Sequence, residues 1–223
     1  MPPDLKPLYD RMLRQFCRLV LSTITLAYRL LHLLEVRALS DLPEKISTNL
    51  DSIMKVINKC GSFLAVRANR AYFIHQSAKD FLLEKALDRV FSSGKSKVNH
   101  TMFLRSREVM SRTLRRDMYG LFAPGFPIGE VEPPAPDPLA VVQYSCLYWI
   151  DYLLDCDRGH ITDELKDDGS VHQFLRASYI HWLEALSLLR SLPDGIVMIA
   201  KLENWLKVSH NTTFRTSLVN ALI

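Results

Sequence analysis

His75 and Ser77 sit together in Ile74-His75-Gln76-Ser77-Ala78-Lys79-Asp80, just after a β-like run and just before a helical one. Ser77 with Asp80 three residues on has the spacing of a helix cap. A helix start offers unpaired N–H groups and the positive end of the helix dipole, and both attract phosphate. An imidazole beside it adds a donor and, when protonated, a charge. Read alone, a histidine of this kind is more often a hydrogen-bonded structural residue.

Other residue types capable of chemistry lack partners at working spacing. Gly94-Lys95-Ser96 has the last three letters of the phosphate-cradling loop G-x-x-x-x-G-K-[ST]. No glycine stands at the right place upstream and no core strand precedes it, so the loop is absent. No acidic run on a strand supplies a magnesium partner. Cys17, Cys60, Cys146 and Cys156 are widely spaced, form no C-x-x-C pair and read as reduced core thiols. A catalytic cysteine needs a histidine partner, and the sequence pairs none with Cys17 or Cys60. His172 and His181 are nine apart, a poor metal pair on a helix. Tyr148, Trp149, Trp182 and Trp205 read as core contacts rather than a base-stacking platform. The expectation is therefore a chain that is not an enzyme and holds no cofactor or metal by itself.

The elements that must position these residues are mainly helical. In the 223 residues, 48% are hydrophobic, 23% are charged and only 8 are glycine, a globular and helix-leaning balance. Leu5, Leu8, Met12 and Leu13 make a short amphipathic helix. Cys17, Val20, Leu21, Ile24, Ala27 and Tyr28 follow helical spacing in turn. A further helix covers 30–39. Ile46, Leu50, Ile53, Met54 and Ile57 form one apolar stripe, with Thr48 and Asp51 as a capping pair and Gly61 past the end. Ser62 to Val66 and Tyr72 to Ile74 read as strands joined by Arg67-Ala68-Asn69-Arg70, where Asn69 accepts positive φ. Helices, then a hairpin, then a packed helix give the order of a winged-helix unit, with the hairpin as its wing. The fold class expected is mainly α: a winged-helix unit with a two-stranded wing, followed by a helical-bundle region.

Beyond the wing, a long helix is expected over about 98–119, stopping at Gly120. Residues 123–138 hold six of the eleven prolines and read as an extended linker. Asp137-Pro138 opens a helix through Leu153, and the acidic stretch 155–169 reads as a loop. Ser170 opens another helix, Pro193-Asp194-Gly195 breaks it, and a last one covers Ile196 to Val208. The expected divisions are 1–15, a winged helix over 16–90, a connecting helix over 91–122, the linker 123–138, a helical domain over 139–208 and an unassigned tail, 209–223.

The net charge of +4 is too modest to argue for nucleic acid alone. Arg105, Arg107, Arg112, Arg115 and Arg116 cluster, as do the acids between Asp151 and Asp168, and such runs are usually solvated faces. The strongest apolar run, Leu19 to Tyr28, is about half the length needed to span a bilayer. A cytoplasmic address without membrane contact is expected.

The segment Ser47-Thr48-Asn49-Leu50-Asp51-Ser52-Ile53-Met54-Lys55-Val56-Ile57-Asn58-Lys59-Cys60-Gly61-Ser62-Phe63-Leu64 resembles fungal NACHT-domain proteins of the vegetative-incompatibility type, relatives of NOD-like receptors. So does Tyr72-Phe73-Ile74-His75-Gln76-Ser77-Ala78-Lys79-Asp80-Phe81-Leu82. Leu5-Lys6-Pro7-Leu8-Tyr9 looks like the end of their nucleotide-binding part, and His181-Trp182-Leu183-Glu184-Ala185-Leu186 like the helices before their repeats. Leu30 departs from the family's proline and Ala68 from its acidic residue. The resemblance implies a regulatory, scaffolding piece of a larger switch ATPase, isolated or truncated. In that setting His75 contacts the β-phosphate of bound ADP, with the phosphate loop on another domain. ADP and ATP are then cofactors of the complete protein. The expected partners are the nucleotide-binding and repeat domains and a homo-oligomer. The alternative of another class is a winged-helix nucleic-acid binder using Arg67, Arg70 and the arginine cluster. Against it, the 46–60 helix carries only Lys55 and Lys59 as cations, with Asp51 beside them.

Overall fold

A computed structural model describes residues 5–208 apart from 62, 122–124 and 167. The tail 209–223, left unassigned above, lies outside the described residues. Contacts divide the chain into two compact units, residues 1–105 and 106–223.

The first unit begins with α1 (Leu5–Leu26). The amphipathic segment before Cys17 and the apolar run after it therefore form one helix rather than two. Phe16, Val20 and Ile24 recur at helical spacing and are all buried. The chain then forms a two-residue strand, β1 (Leu31–His32), before α2 (Leu33–Leu39). The helix expected from Leu30 thus starts three residues late. His32 is the reason: its extended backbone sets up a capping box in which Nδ1 accepts from Leu34 N–H and Glu35 accepts from His32 N–H.

The stripe from Ile46 to Ile57 is also divided, into α3 (Glu44–Ser47) and α4 (Leu50–Lys59). Asn49 sits between them in an extended conformation and its Oδ1 accepts from Asp51 N–H at 2.8 Å. Asn49, not Thr48, is thus the cap. Gly61 takes the left-handed φ of 66° just past the helix, as its position implied.

Strands β2 (Leu64–Arg67) and β3 (Arg70–Phe73) pair antiparallel, with Leu64 opposite Phe73 and Arg67 opposite Arg70. Ala68 and Asn69 make the two-residue turn, both with positive φ (49° and 58°), the geometry that matches strand twist. β1 adds to the free edge of β3, Leu31 opposite Ala71, so the sheet has three strands in the order β1-β3-β2. The wing is two-stranded in its hairpin and three-stranded at its base. Backbone pairing with β3 accounts for the strand that periodicity missed, because two residues carry no period.

α5 (Gln76–Glu84) and α6 (Leu87–Val90) follow. Leu82, Ala86, Val90 and Phe91 form a small core with Leu21, Leu26, Phe63 and Phe73 packed against it, and this core seats the hairpin on α1.

The helix expected over 98–119 is α7 (Lys95–Thr113), and it runs across the boundary at 105. The second unit then turns through Asp117 and Gly120, both with positive φ. The proline-rich stretch 123–138 falls inside this unit. Its only regular element among the described residues is a single 3₁₀ turn at Ile128–Glu130. Val131 is buried there, and Arg190 donates to the Ile128 carbonyl. Asp137 Oδ1 caps Leu139 N–H at 2.8 Å, and turns lead into α8 (Gln143–Leu154).

The acidic stretch is not all loop: α9 (Arg158–Glu164) occupies it, with Ile161 and Leu165 turned into the core. Two apolar residues four apart suffice to anchor two turns of helix. α10 (Ser170–Leu188) starts where Ser170 indicated. Beyond its end Arg190 adopts φ 57°, and α11 (Leu192–Val208) begins at once. Pro193-Asp194-Gly195 therefore opens the last helix instead of breaking the previous one, since proline is tolerated in a first turn. Gly195 lets α11 approach α10 closely, because a Cβ there would collide with the Leu186 side chain. Trp149 and Trp182 are fully buried between α8 and α10, ring centroids 5.9 Å apart and edge to face. Trp182 Nε1 donates to the Cys146 carbonyl at 3.0 Å.

Candidate functional site

β3 ends at Phe73, and the chain then passes through Ile74 and His75 into α5. Ile74 N–H donates to the Phe63 carbonyl at 3.0 Å, so pairing of the hairpin persists to within one residue of His75. His75 is itself the N-cap residue of α5, with an extended backbone (φ −134°, ψ 140°), and no side chain caps this helix. The cap thus falls two residues earlier than Ser77, which lies inside the first turn. Ser77 and Asp80 do not form the expected capping pair; Asp80 accepts from Gln76 Nε2 instead. His75, Gln76 and Ser77 are all exposed.

The result is a nine-residue helix whose first turn faces solvent without a capping side chain, with an imidazole at its mouth. Such an end can donate backbone N–H groups to an anion. The His75 imidazole, at the N-cap position, carries a further N–H donor. This chain's share of a phosphate contact would therefore be His75 and the first turn of α5, two weak donors rather than a cradle.

The wing is held firmly from below. Glu35 is 1% exposed and forms a bidentate pair with Arg29, at 2.6 and 2.8 Å, while also accepting from His32 N–H. Leu33 N–H donates to the Asn69 carbonyl at 2.8 Å, which ties the start of α2 to the hairpin turn. These contacts fix β3 and so fix where His75 emerges.

The remaining candidates separate. Gly94 has a left-handed φ of 85° and Lys95 opens α7, but the element before them is the short helix α6 and not a strand. The phosphate-loop context is missing in the fold as in the sequence. His172 Nδ1 accepts from Asp168 N–H at 3.2 Å and closes the turn before α10. Among the described residues no group of three or more His, Cys, Asp or Glu could hold a metal. In the arginine cluster, Arg112 pairs with Glu108, Arg105 pairs with Asp41, and Arg107 donates to the Ser170 carbonyl. Arg67 and Arg70 are exposed on the hairpin. No described helix is long and apolar enough to cross a membrane.

Sequence spacing gave no reason to join Cys17 to Cys60, yet the fold brings them together. Cys17 Sγ lies 3.6 Å and Cys60 Sγ 3.3 Å from the Val56 carbonyl oxygen. A hydrogen bond from the Cys60 thiol holds Cys17 down to about 7 against the opposing effect of burial, with the Lys59 charge helping. The same bond and burial push Cys60 up. The only foreshadowing was that Cys17 lies on the apolar stripe of one helix and Cys60 at the end of another.

A three-stranded wing on a small helical core, followed by a second helical unit, defines a winged helix with a helical region beyond it. No family model and no solved structure matches the chain. The chain is similar to a fungal vegetative-incompatibility protein of the NACHT type. It is 43% identical over 228 residues to vegetative incompatibility protein HET-E-1 of Podospora anserina, a match covering 92% of this chain. The chain spans 17% of that relative's length.

Proposed function

We propose that the chain acts as a non-catalytic regulatory and scaffolding segment of a NACHT-type signalling protein, relaying the nucleotide state of a neighbouring domain to a repeat domain. The observation that carries this reading is the position of His75. It is exposed, stands at the uncapped start of α5 and is fixed from behind by the paired hairpin. In a complete relative, a domain bearing the phosphate loop would hold ADP or ATP, and His75 would contact the β-phosphate. The nucleotide supplies the charge that distinguishes the two states; the wing supplies a donor whose position depends on the hairpin. Similarity to HET-E-1 over most of this chain supports the setting. The partners are then the nucleotide-binding and repeat domains and further copies of the protein, in the cytoplasm.

The test has two arms. The purified chain should show no ATP turnover, and turnover that survives repurification and disappears on a point change within the chain would overturn the reading. In a complete relative carrying this segment, His75→Ala should speed ADP release and raise spontaneous signalling. Unchanged ADP release would return His75 to a structural role.

The exposed Arg67 and Arg70 favour one other reading, nucleic-acid binding through the wing. Phosphate binding by a few arginines predicts only weak association that falls steeply between low and physiological salt. A sequence-selective shift at physiological salt would promote that reading over the first.

A further inference from the structure

We propose that Cys17 and Cys60 form an oxidisable dithiol, which a hydroperoxide closes into a disulfide tying α1 to the C-terminal end of α4. Both sulfurs surround one acceptor, the Val56 carbonyl oxygen, at 3.6 and 3.3 Å, and Cys60 Sγ also lies 3.8 Å from the Cys17 carbonyl. Each thiol is the other's side-chain hydrogen-bond partner. The helices that carry them are packed against each other, so the two sulfurs are neighbours by construction and not by a flexible loop. This proposal stands on the winged-helix core alone and does not depend on any role for His75.

The two members differ in a way that assigns their parts. Cys17 is half-buried, within reach of solvent and near the Lys59 cation, while Cys60 is buried at the end of α4. A partly exposed thiol with an elevated thiolate fraction is the attacking kind, and a buried partner beside it is the resolving kind. The Cys17 thiolate attacks one oxygen of the hydroperoxide; the S–O bond forms, the O–O bond breaks, and the other oxygen leaves as an alcohol or water after taking a proton. Cys60 sulfur then attacks the Cys17 sulfenic acid. The S–S bond forms, the S–O bond breaks, and the departing hydroxyl leaves as water with the Cys60 proton. Two thiols are oxidised by two electrons and one peroxide bond is reduced.

The other two cysteines supply an internal contrast. Cys146 and Cys156 are buried, and burial pushes both thiols up to about 12. Cys146 lies wholly inside the α8 core, and Cys156 donates to the Tyr152 carbonyl at 3.0 Å. Both should be slow toward peroxide in the folded chain.

The test treats the purified native chain with hydrogen peroxide and maps its peptides without reduction. The expected product joins the Cys17 and Cys60 peptides within one chain, with an intact-mass loss of two hydrogens that a thiol reductant restores. In Cys60→Ser, a sulfenic acid should persist at Cys17 and be captured by dimedone. In Cys17→Ser, oxidation of Cys60 should slow by about tenfold or more, because the accessible attacking thiol is gone. Circular dichroism of each variant confirms that it is folded, and the wild-type map needs no variant at all. Oxidation of Cys17 no faster than that of Cys146 in the wild-type chain would overturn the proposal. So would a disulfide joining the Cys17 residues of two chains in place of the internal bond.

Discussion

The hairpin Leu64–Phe73 and the α8–α10 pair hold their chains in place by opposite means. The hairpin is short, turns through two residues with positive φ and exposes Arg67, Ala68, Asn69 and Arg70 to solvent. Its rigidity comes from ladder pairing, one bond from Leu33 N–H to Asn69 and a small apolar core beneath. The helix pair instead closes on large aromatics: Trp149, Trp182, Tyr144 and Tyr152 are fully buried, and the two tyrosine hydroxyls bond to each other. A region built the second way is held by the volume of its buried side chains. One built the first way presents backbone ends and polar side chains at a defined place, and His75 belongs to it.

The largest effect should come from the helical unit. Trp182→Ala removes a side chain with no solvent exposure and leaves the Cys146 carbonyl without its indole donor. The expected loss is about 3–5 kcal/mol in denaturant unfolding, the range for emptying a large aromatic site. Trp182→Phe keeps most of the volume and should cost less, about 1–2 kcal/mol, mainly through the lost indole hydrogen bond. A loss below about 1 kcal/mol for the alanine variant would break the comparison, because the tryptophans would not be what holds this unit.

Glu35→Gln comes next and acts on the support of the wing. It removes one charge of a pair whose carboxylate is 1% exposed and weakens the capping box at His32. Removing one partner of a buried pair costs about 3–5 kcal/mol. Arg29 is 24% exposed and keeps some hydration, so about 2–3 kcal/mol is expected. Hydrogen exchange should show faster opening of the β3 amides than of α8. Uniform loosening of both units would mean that Glu35 is not specific to the wing.

How far each region could be read from the sequence follows from the same contrast. The stripes of α1, α4, α8 and α10 were legible because a helix repeats its burial every three to four residues. The Ala68-Asn69 turn was legible from Asn69, although Ala68 also takes a positive φ that its type disfavours. β1 was not legible, since Leu31–His32 becomes a strand only by pairing with Ala71 and Arg70. The helix caps were misplaced by one residue at Thr48 and by two at Ser77, where several polar residues in a row could each serve and tertiary geometry chose among them. The place of His75 between a strand and a helix start was legible but its exposure was not, and the Cys17–Cys60 contact spans 43 residues, which no local pattern could have shown.

A smaller and opposite effect is expected at the hairpin turn. Ala68 at φ 49° bears a Cβ in the left-handed region, a cost of roughly 1–2 kcal/mol that glycine escapes. Glycine gives part of this back through greater freedom in the unfolded chain. Ala68→Gly should therefore raise stability by about 0.5–1 kcal/mol, read as a higher denaturation midpoint with an unchanged slope. A loss of stability would mean that the turn tolerates its alanine through contacts the comparison assigns only to the helical unit.

The smallest effect on stability should be that of His75→Ala. The side chain is exposed and makes no capping bond, so its removal empties no cavity and orphans no buried group. Exposed substitutions of this kind stay within about 0.5 kcal/mol. Alanine is also a poorer N-cap residue than those that bond the first turn, but His75 makes no such bond to lose. The variant should therefore melt with the parent chain, and the hairpin amides should keep their exchange protection. A loss of about 1–3 kcal/mol would instead mark His75 as a hydrogen-bonded structural residue, and the uncapped start of α5 would then be part of the scaffold. A near-zero change sharpens the comparison: the wing would hold at its edge a side chain that the fold does not need, fixed in position by a hairpin that the fold does need.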